Sequence, residues 1–336
     1  MRPTGRLHLG HLVGALKNWA TLQDDYECFY FVADWHALTS EYAETSALVA
    51  NAYDNVADWI ASGVDPERST LFIQSLVPEH AELFLLLSMV VPIPWLERVP
   101  TYKEQREQLS DKDLSTIGFL GYPLLQTADV AMYDAQYVPV GEDQVPHLEL
   151  SREAIRRFNN FYGEKLGVRD GETVVKAVLA EPQPLLTNFA RLPGLDNRKM
   201  SKSYGNAIDL SDDAEAVRKK VMSMYTDPKR VRADIPGTVE GNPVFTYHDA
   251  FNSNLEEVED LKSRYREGKV GDVEVKKKLV AALNGVLEPM RQRRAEALAK
   301  PGRIREIVFD GSARARRIAH ETMERVREAV KVSYRP

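Results

Sequence analysis

The chain has 336 residues, 43% of them hydrophobic and 28% charged, enough to bury a sizeable core and to divide into two domains. It holds no run of about eighteen apolar residues, and the opening MRPTGRLHLGH lacks a signal-peptide layout, so membrane insertion and secretion are not expected and a cytoplasmic protein is. A single cysteine, Cys28, excludes an intramolecular disulfide, a Cys-based structural zinc site and an iron–sulfur cluster.

The net charge of −6 is unevenly spread. Residues 290–336 carry 13 Lys and Arg against 6 Asp and Glu, a local +7 that leaves −13 on the remainder. Such an end attracts phosphates, although solvated helix faces would have the same composition.

In chain order, residues 27–34 (ECFYFVAD) form a short apolar, aromatic-rich run and predict a buried strand. An amphipathic helix follows over 47–60, a second strand over 70–74 and a helix over 78–89. After an irregular, charged stretch at 97–114, residues 136–140 read as a strand and 149–158 as a helix. Strand–helix alternation of this kind predicts an α/β fold with a parallel sheet. At 192–206 (LPGLDNRKMSKSYGN), Pro193, Gly194 and Gly205 bracket a cluster of Lys, Arg and Ser typical of an exposed loop. Beyond it the pattern is helical over 209–224, 255–265, 273–299 and 313–332, with Gly268, Gly271, Pro301 and Gly311 as punctuation. These patterns divide the chain into a catalytic domain over 1–206 and an all-helical domain over 207–336. An α/β nucleotide domain also places a strand before its first strand–helix junction. Only residues 1–7 are available for it, so part of that strand is expected to lie outside the sequence.

Two motifs stand about two hundred residues apart: His8-Leu9-Gly10-His11 and Lys199-Met200-Ser201-Lys202-Ser203. The first could be half a metal site, but no nearby Cys or acidic residue completes a coordination sphere. As a pair they suit a nucleoside triphosphate. Gly5 and Gly10 let the backbone approach adenine or phosphate, and a helix beginning near His11 offers its unpaired N–H groups. His8 and His11 can donate hydrogen bonds to the phosphates, while Lys199 and Lys202 match the charge that builds as pyrophosphate leaves. A glycine-flanked loop can close once both substrates are bound.

The pair resembles the signature motifs of class I aminoacyl-tRNA synthetases. Val138-Pro139-Val140-Gly141-Glu142-Asp143-Gln144 with His147-Leu148-Glu149-Leu150, Arg2-Pro3-Thr4-Gly5, the run from Ala33 to Thr39 (ADWHALT) and Phe72-Ile73-Gln74-Ser75 resemble the bacterial-type tryptophanyl-tRNA synthetases over almost the whole chain. That resemblance implies a Rossmann-like catalytic domain with a C-terminal all-helical domain that binds the anticodon end of tRNA(Trp). It also implies ATP with Mg2+ carried by the phosphates rather than by a dedicated carboxylate pair, L-tryptophan as substrate, and a homodimer.

Carried over, it implies a tryptophan pocket of Tyr122, Gln126, Asp129 and Gln144. Asp129 accepts from the indole N–H, and Tyr122 and Gln144 hold the α-amino group. Rejection of phenylalanine follows, since a buried acceptor would be left unpaired. ATP falls to Arg2, Pro3, Thr4, Gly10, His11, Gly141, Glu142, Asp143, Ala190, Lys199, Met200, Ser201, Lys202 and Ser203. Gln126 stands where many relatives have methionine, and with Tyr122 and Asp129 it also resembles the pocket of archaeal tyrosyl-tRNA synthetases, so tyrosine is the alternative substrate. His-x-Gly-His would also suit a small-molecule adenylyltransferase, and a non-catalytic synthetase paralogue is a further alternative. The basic appendage argues against the former, and retention of both motifs against the latter.

Lys103, Arg106 and Lys112 are further candidates for phosphate contact. Trp35 and His36 either line the site or pack, whereas His80, His248 and His320 read as surface or capping residues. Arg291, Arg293, Arg294, Arg303, Arg305, Arg314, Arg316 and Arg317 are candidates for binding RNA.

Overall fold

A computed structural model describes residues 1–100, 102, 113–169, 172–186, 192–200, 204–228, 230 and 232–334, with the backbone alone at 143, 169 and 172. The first helix, α1, starts at Leu9, two residues before the expected His11, and runs through Leu9–His11, a π-helical Leu12–Leu16 and Lys17–Leu22. Leu9, Leu12 and Leu16 recur at helical spacing and are buried. Then follow β1 (Cys28–Val32), α2 (Asp34–Glu41), α3 (Leu48–Ala61), β2 (Ser69–Ile73), α4 (Glu79–Ser88), α5 (Ile93–Glu97) and α6 (Ile117–Ala131). The middle of the chain forms β3 (Tyr137–Val140), α7 (Val145–Tyr162), the hairpin β4 (Glu164–Arg169) and β5 (Glu172–Lys176), and β6 (Gln183–Leu186). Helices close the chain: α8 (Ala214–Met222), α9 (Pro243–Phe251), α10 (Leu255–Arg266), α11 (Asp272–Ala299) and α12 (Arg303–Ala329).

Among the described residues β1 and β2 pair in parallel, with Cys28 opposite Ser69 and Val32 opposite Ile73, and β3 pairs in parallel with β6. Side chains alternate across β1 and β2, so each strand feeds two cores. Cys28, Tyr30, Val32 and Leu71 join a cluster with Leu12, Trp59, Val244, Leu283 and Val308. Phe72 joins a second one with Leu83, Leu124, Phe158, Ala319 and Met323, against which Phe29 and Phe31 pack. The first cluster takes side chains from both sides of residue 206, so the change to an all-helical pattern there does not separate two cores.

The last helix covers the outer edge of β2. Gly311 brings the α12 backbone against Leu71, and Ser312 Oγ accepts from the Ile73 N–H at 3.3 Å. An open strand edge is thereby shielded and one of its donors satisfied. Gly311, read from the sequence as punctuation, lies inside a helix that starts ten residues before the expected 313.

On its other edge β1 is flanked by Met1, whose amine donates to the Phe31 carbonyl at 2.6 Å and whose carbonyl accepts from the Ala33 N–H at 2.8 Å. A cavity of about 430 Å³ lies between β1 and β3, with Asp129 and Tyr133 on its wall.

Candidate active site

The segment that follows the lysine loop returns to the N-terminal turn. Leu9 N donates to Ile208 O at 3.0 Å and Leu210 N to Leu7 O at 2.8 Å, so the two motifs are tied by backbone pairing. His8 precedes α1 in extended conformation; its N–H donates to His11 Nδ1 at 3.1 Å, and the two rings lie 3.9 Å apart. Gly10 lies beneath Met200: a Cβ at Gly10 would stand 3.0 Å from the Met200 Sδ and 2.9 Å from the His8 ring. Glycine is what permits this approach.

The base of the lysine loop is pinned by Asn206, which donates to Asp196 Oδ1 at 2.8 Å and to the Lys199 carbonyl at 3.2 Å. The bond from Asn206, with Arg198 beside it, holds the Asp196 carboxyl down at about 2. Lys199 is exposed. Before Gly10, Pro3 is buried, its carbonyl accepts from Asn51 at 3.2 Å, and Gly5 sits at φ 126°. Arg2 and Thr4 are exposed. Ala190, Ser201, Lys202 and Ser203, together with Lys103, Arg106 and Lys112, lie outside the described residues, as does the side chain of Asp143.

The second constellation centres on α6, where Tyr122, Gln126 and Asp129 follow at spacings of four and three and so share one face. Asp129 is 4% exposed and is held by three donors. His36 Nε2 stands 2.7 Å from Oδ2, while Gln74 Nε2 and His80 Nδ1 stand 2.7 and 2.6 Å from Oδ1. Burial pushes the Asp129 carboxyl up, but the charge and hydrogen bonds of His36 and His80 prevail and hold it well below the usual carboxylate range. Tyr133 closes the chain, its hydroxyl 2.7 Å from His80 Nε2. Tyr122 packs against Phe119 and His147, with ring centroids 5.6 and 5.7 Å away. Gln144 stands at the start of α7, just after the Gly141 turn, and its N–H donates to the Gly141 carbonyl at 2.9 Å.

His80 corrects the sequence reading. It is fully buried and bonded at both ring nitrogens, rather than lying at the surface, because the start of α4 faces α6. Its partner lies 49 residues away, so no spacing rule could have found it. His248 is likewise buried, bonded to the Val275 carbonyl and Asn252. His36 meets Asp129, while His320 keeps its surface place beside Glu324.

Most of the C-terminal arginines already have partners within the chain. Arg294 pairs with Asp54 and Asp58, Arg316 with Glu79 and Arg303 with Glu67. Arg291, Arg293 and Arg314 donate to the carbonyls of Asp212, Ala61 and Pro66. Among the described residues Arg305 and Arg317 are exposed without an ion pair, Arg305 lying over the Phe309 ring. A basic composition therefore overstated the surface available to phosphate.

Among the described residues no three His, Cys, Asp or Glu side chains converge as metal ligands, and no helix is long and apolar enough to cross a membrane.

A family model described as class I tRNA synthetases (W and Y) matches residues 1–288. The chain belongs to this family. It is an aminoacyl-tRNA synthetase, and its parallel strands and helical C-terminal part are those of the class I fold. Over its whole length it is 48% identical to the tryptophan–tRNA ligase of Treponema pallidum, covering 96% of that protein. It is 47% identical to the tryptophan–tRNA ligase of Thermotoga maritima, over 99% of this chain and 98% of that one. The tryptophanyl-tRNA synthetase of Campylobacter jejuni, solved with ADP and tryptophan, superimposes with a TM-score of 0.84 at 30% identity, covering 98% of both chains.

Proposed function

We infer that the chain is a tryptophan–tRNA ligase, which activates L-tryptophan with ATP and loads it onto tRNA(Trp). The observation that carries this reading is near-full-length identity with tryptophan–tRNA ligases. The tryptophan carboxylate attacks the α-phosphorus, the bond to the bridging oxygen breaks, and pyrophosphate leaves with the charge that Lys199 and Lys202 would balance. A hydroxyl of the terminal tRNA adenosine then attacks the acyl carbon, and AMP departs.

In this reading His8, Gly10, His11 and Met200, with Arg2, Pro3, Thr4, Gly141, Glu142 and Asp143, form the ATP side, to which Ala190, Ser201 and Ser203 are also assigned. Tyr122, Gln126, Asp129 and Gln144 form the tryptophan side. A buried carboxylate kept ionised is the acceptor that a single indole donor requires, and it leaves phenylalanine at a disadvantage. Magnesium would enter on the phosphates of ATP and supply charge there. The helices after residue 206 approach the tRNA, with Arg305 and Arg317 among the exposed cations. Exposed apolar side chains at Leu85, Met89, Ile93 and Ile117 offer a surface for a homodimer. The enzyme works in the cytoplasm, where tRNA is charged.

ATP–pyrophosphate exchange with each amino acid tests the substrate. Exchange stimulated by tryptophan is expected. Stimulation by tyrosine instead would establish the alternative substrate, and none with any amino acid would point to a paralogue without this catalysis. Asp129→Ala should weaken tryptophan activation by on the order of 1.5–3 kcal/mol or more.

A further inference from the structure

Asp129 is fixed by side chains from four separate places in the fold: His36 on α2, Gln74 just after β2, His80 on α4, and Tyr133 behind His80. A carboxylate offers about four lone-pair positions. Two donors meet Oδ1 and one meets Oδ2. The position left open is therefore on Oδ2, beside the His36 bond.

Asp129 fixes the direction of the chain, because an ionised carboxylate only accepts. His80 Nδ1 therefore carries a proton toward Asp129, and the Tyr133 hydroxyl holds the far nitrogen, Nε2, at 2.7 Å. Burial, with the charges of Asp129 and Glu79 behind it, pushes the Tyr133 hydroxyl far above its ordinary range, so it keeps its proton. The terminal torsion of an Asp side chain is soft, so without these restraints either oxygen could turn toward a substrate.

We propose that His80, oriented by Tyr133, is a positioning residue that presents the open Oδ2 position of Asp129 to the amino-acid side chain and thereby sets selectivity for a substrate N–H donor. The proposal rests on the reading that Asp129 accepts from the indole. It assigns His80 and Tyr133 a part in specificity although neither touches the substrate. Packing alone would demand only their shape.

The test compares tryptophan with 3-benzothienylalanine, which has the same outline but sulfur in place of the N–H. Both are measured by ATP–pyrophosphate exchange in the parent chain and in Tyr133→Phe, which retains the ring and removes the hydroxyl. In the parent, tryptophan should have the lower KM. In Tyr133→Phe the His80 ring loses its outer anchor and can turn its Nδ1–H off Asp129, and the KM for tryptophan should rise about tenfold, the effect of one weakened hydrogen bond. The KM for the benzothienyl analogue and for ATP, and kcat, should change by less than about twofold. His80→Gln, which can still donate to Asp129, should recover more of the selectivity than His80→Ala.

A parallel rise for both amino acids, or no change for either, would make the pair a packing device and overturn the proposal. A parent enzyme that activates tryptophan yet does not separate the two amino acids would remove the Asp129 reading beneath it. A parent without tryptophan-dependent exchange would instead fail at the level of the enzyme's function.

Discussion

Met200 Sδ stands 3.0 Å from the point that a Cβ on Gly10 would occupy, so the lysine loop and the His-x-Gly-His turn touch through a missing side chain. Gly10 lies at the start of a helix, where alanine is better tolerated than glycine by up to about 1 kcal/mol. Gly10→Ala gains part of that propensity but must push aside the His8 ring and the Met200 side chain, so Tm should change little. Exchange should still fall on the order of tenfold to a hundredfold, because the loop and the His8 ring are displaced from where the proposed function puts the phosphates. Tm and exchange measured on one preparation separate the two effects; a parental exchange rate would remove this contact from catalysis.

Lys202→Ala should slow adenylate formation far more than it weakens tryptophan binding, since the charge that the lysine meets develops in the transition state. Pre-steady-state rates and equilibrium titration with tryptophan check this. Unchanged turnover with weak tryptophan binding would contradict the assigned role.

Asp58 on α3 links the first half of the chain to Arg294 on α11, a cation it shares with Asp54. Burial pushes its carboxyl up to about 6 against the pull of Arg294. An acid whose folded value lies above its unfolded one loses its proton first in the unfolded chain. Stability from this group is present at low pH and declines as pH rises from about 4 to about 6, by about 3 kcal/mol in all. Urea melts of the parent and Asp58→Asn across that window should show the parent losing stability relative to the variant, with the difference constant above about pH 7. A difference that does not vary with pH would count against the raised value.

Gly311→Ala and Gly285→Ala place the same methyl in two helices with opposite results. At Gly311 the added Cβ would stand 1.9 Å from the Leu71 carbonyl oxygen, whereas at Gly285 nothing lies within 4 Å. The first should lose about 1–3 kcal/mol or more through overpacking, and the second should gain up to about 1 kcal/mol of helix propensity. Thermal melts of the two variants should move in opposite directions.

The sequence discloses best what is local. The strands at 27–34, 70–74 and 136–140 contain β1, most of β2 and β3, because short apolar runs bounded by turns leave few other conformations open. Helix α6 escapes such a reading because it is buried on nearly every side and carries Gly118, Gly121 and Pro123, so it shows neither an amphipathic stripe nor an uninterrupted run. Helices α2 and α9, the β4–β5 hairpin and β6 are equally hidden; each is short and acquires its place from its neighbours. The candidate site divides in the same way. The two motifs announce themselves, whereas Gln74 and His80 become partners of Asp129 only once three distant segments converge. The arginine cluster shows the reverse error, since composition counts cations without regard to the carboxylates and carbonyls that already hold them.

The seal that α12 makes over β2 also sets an order of events during synthesis. Phe72, Leu83 and Leu124 emerge from the ribosome early, yet the core they build takes Ala315, Ala319, Met323 and Val326 from the last helix. Arg316, Arg325 and Arg327 then tie that helix to Glu79, Asp134 and Glu82. A nascent chain that has not yet produced α12 displays an uncovered strand edge and an unfilled apolar face, the features that chaperones bind and that aggregation exploits. Completion of the core around β2 therefore waits on the synthesis of α12.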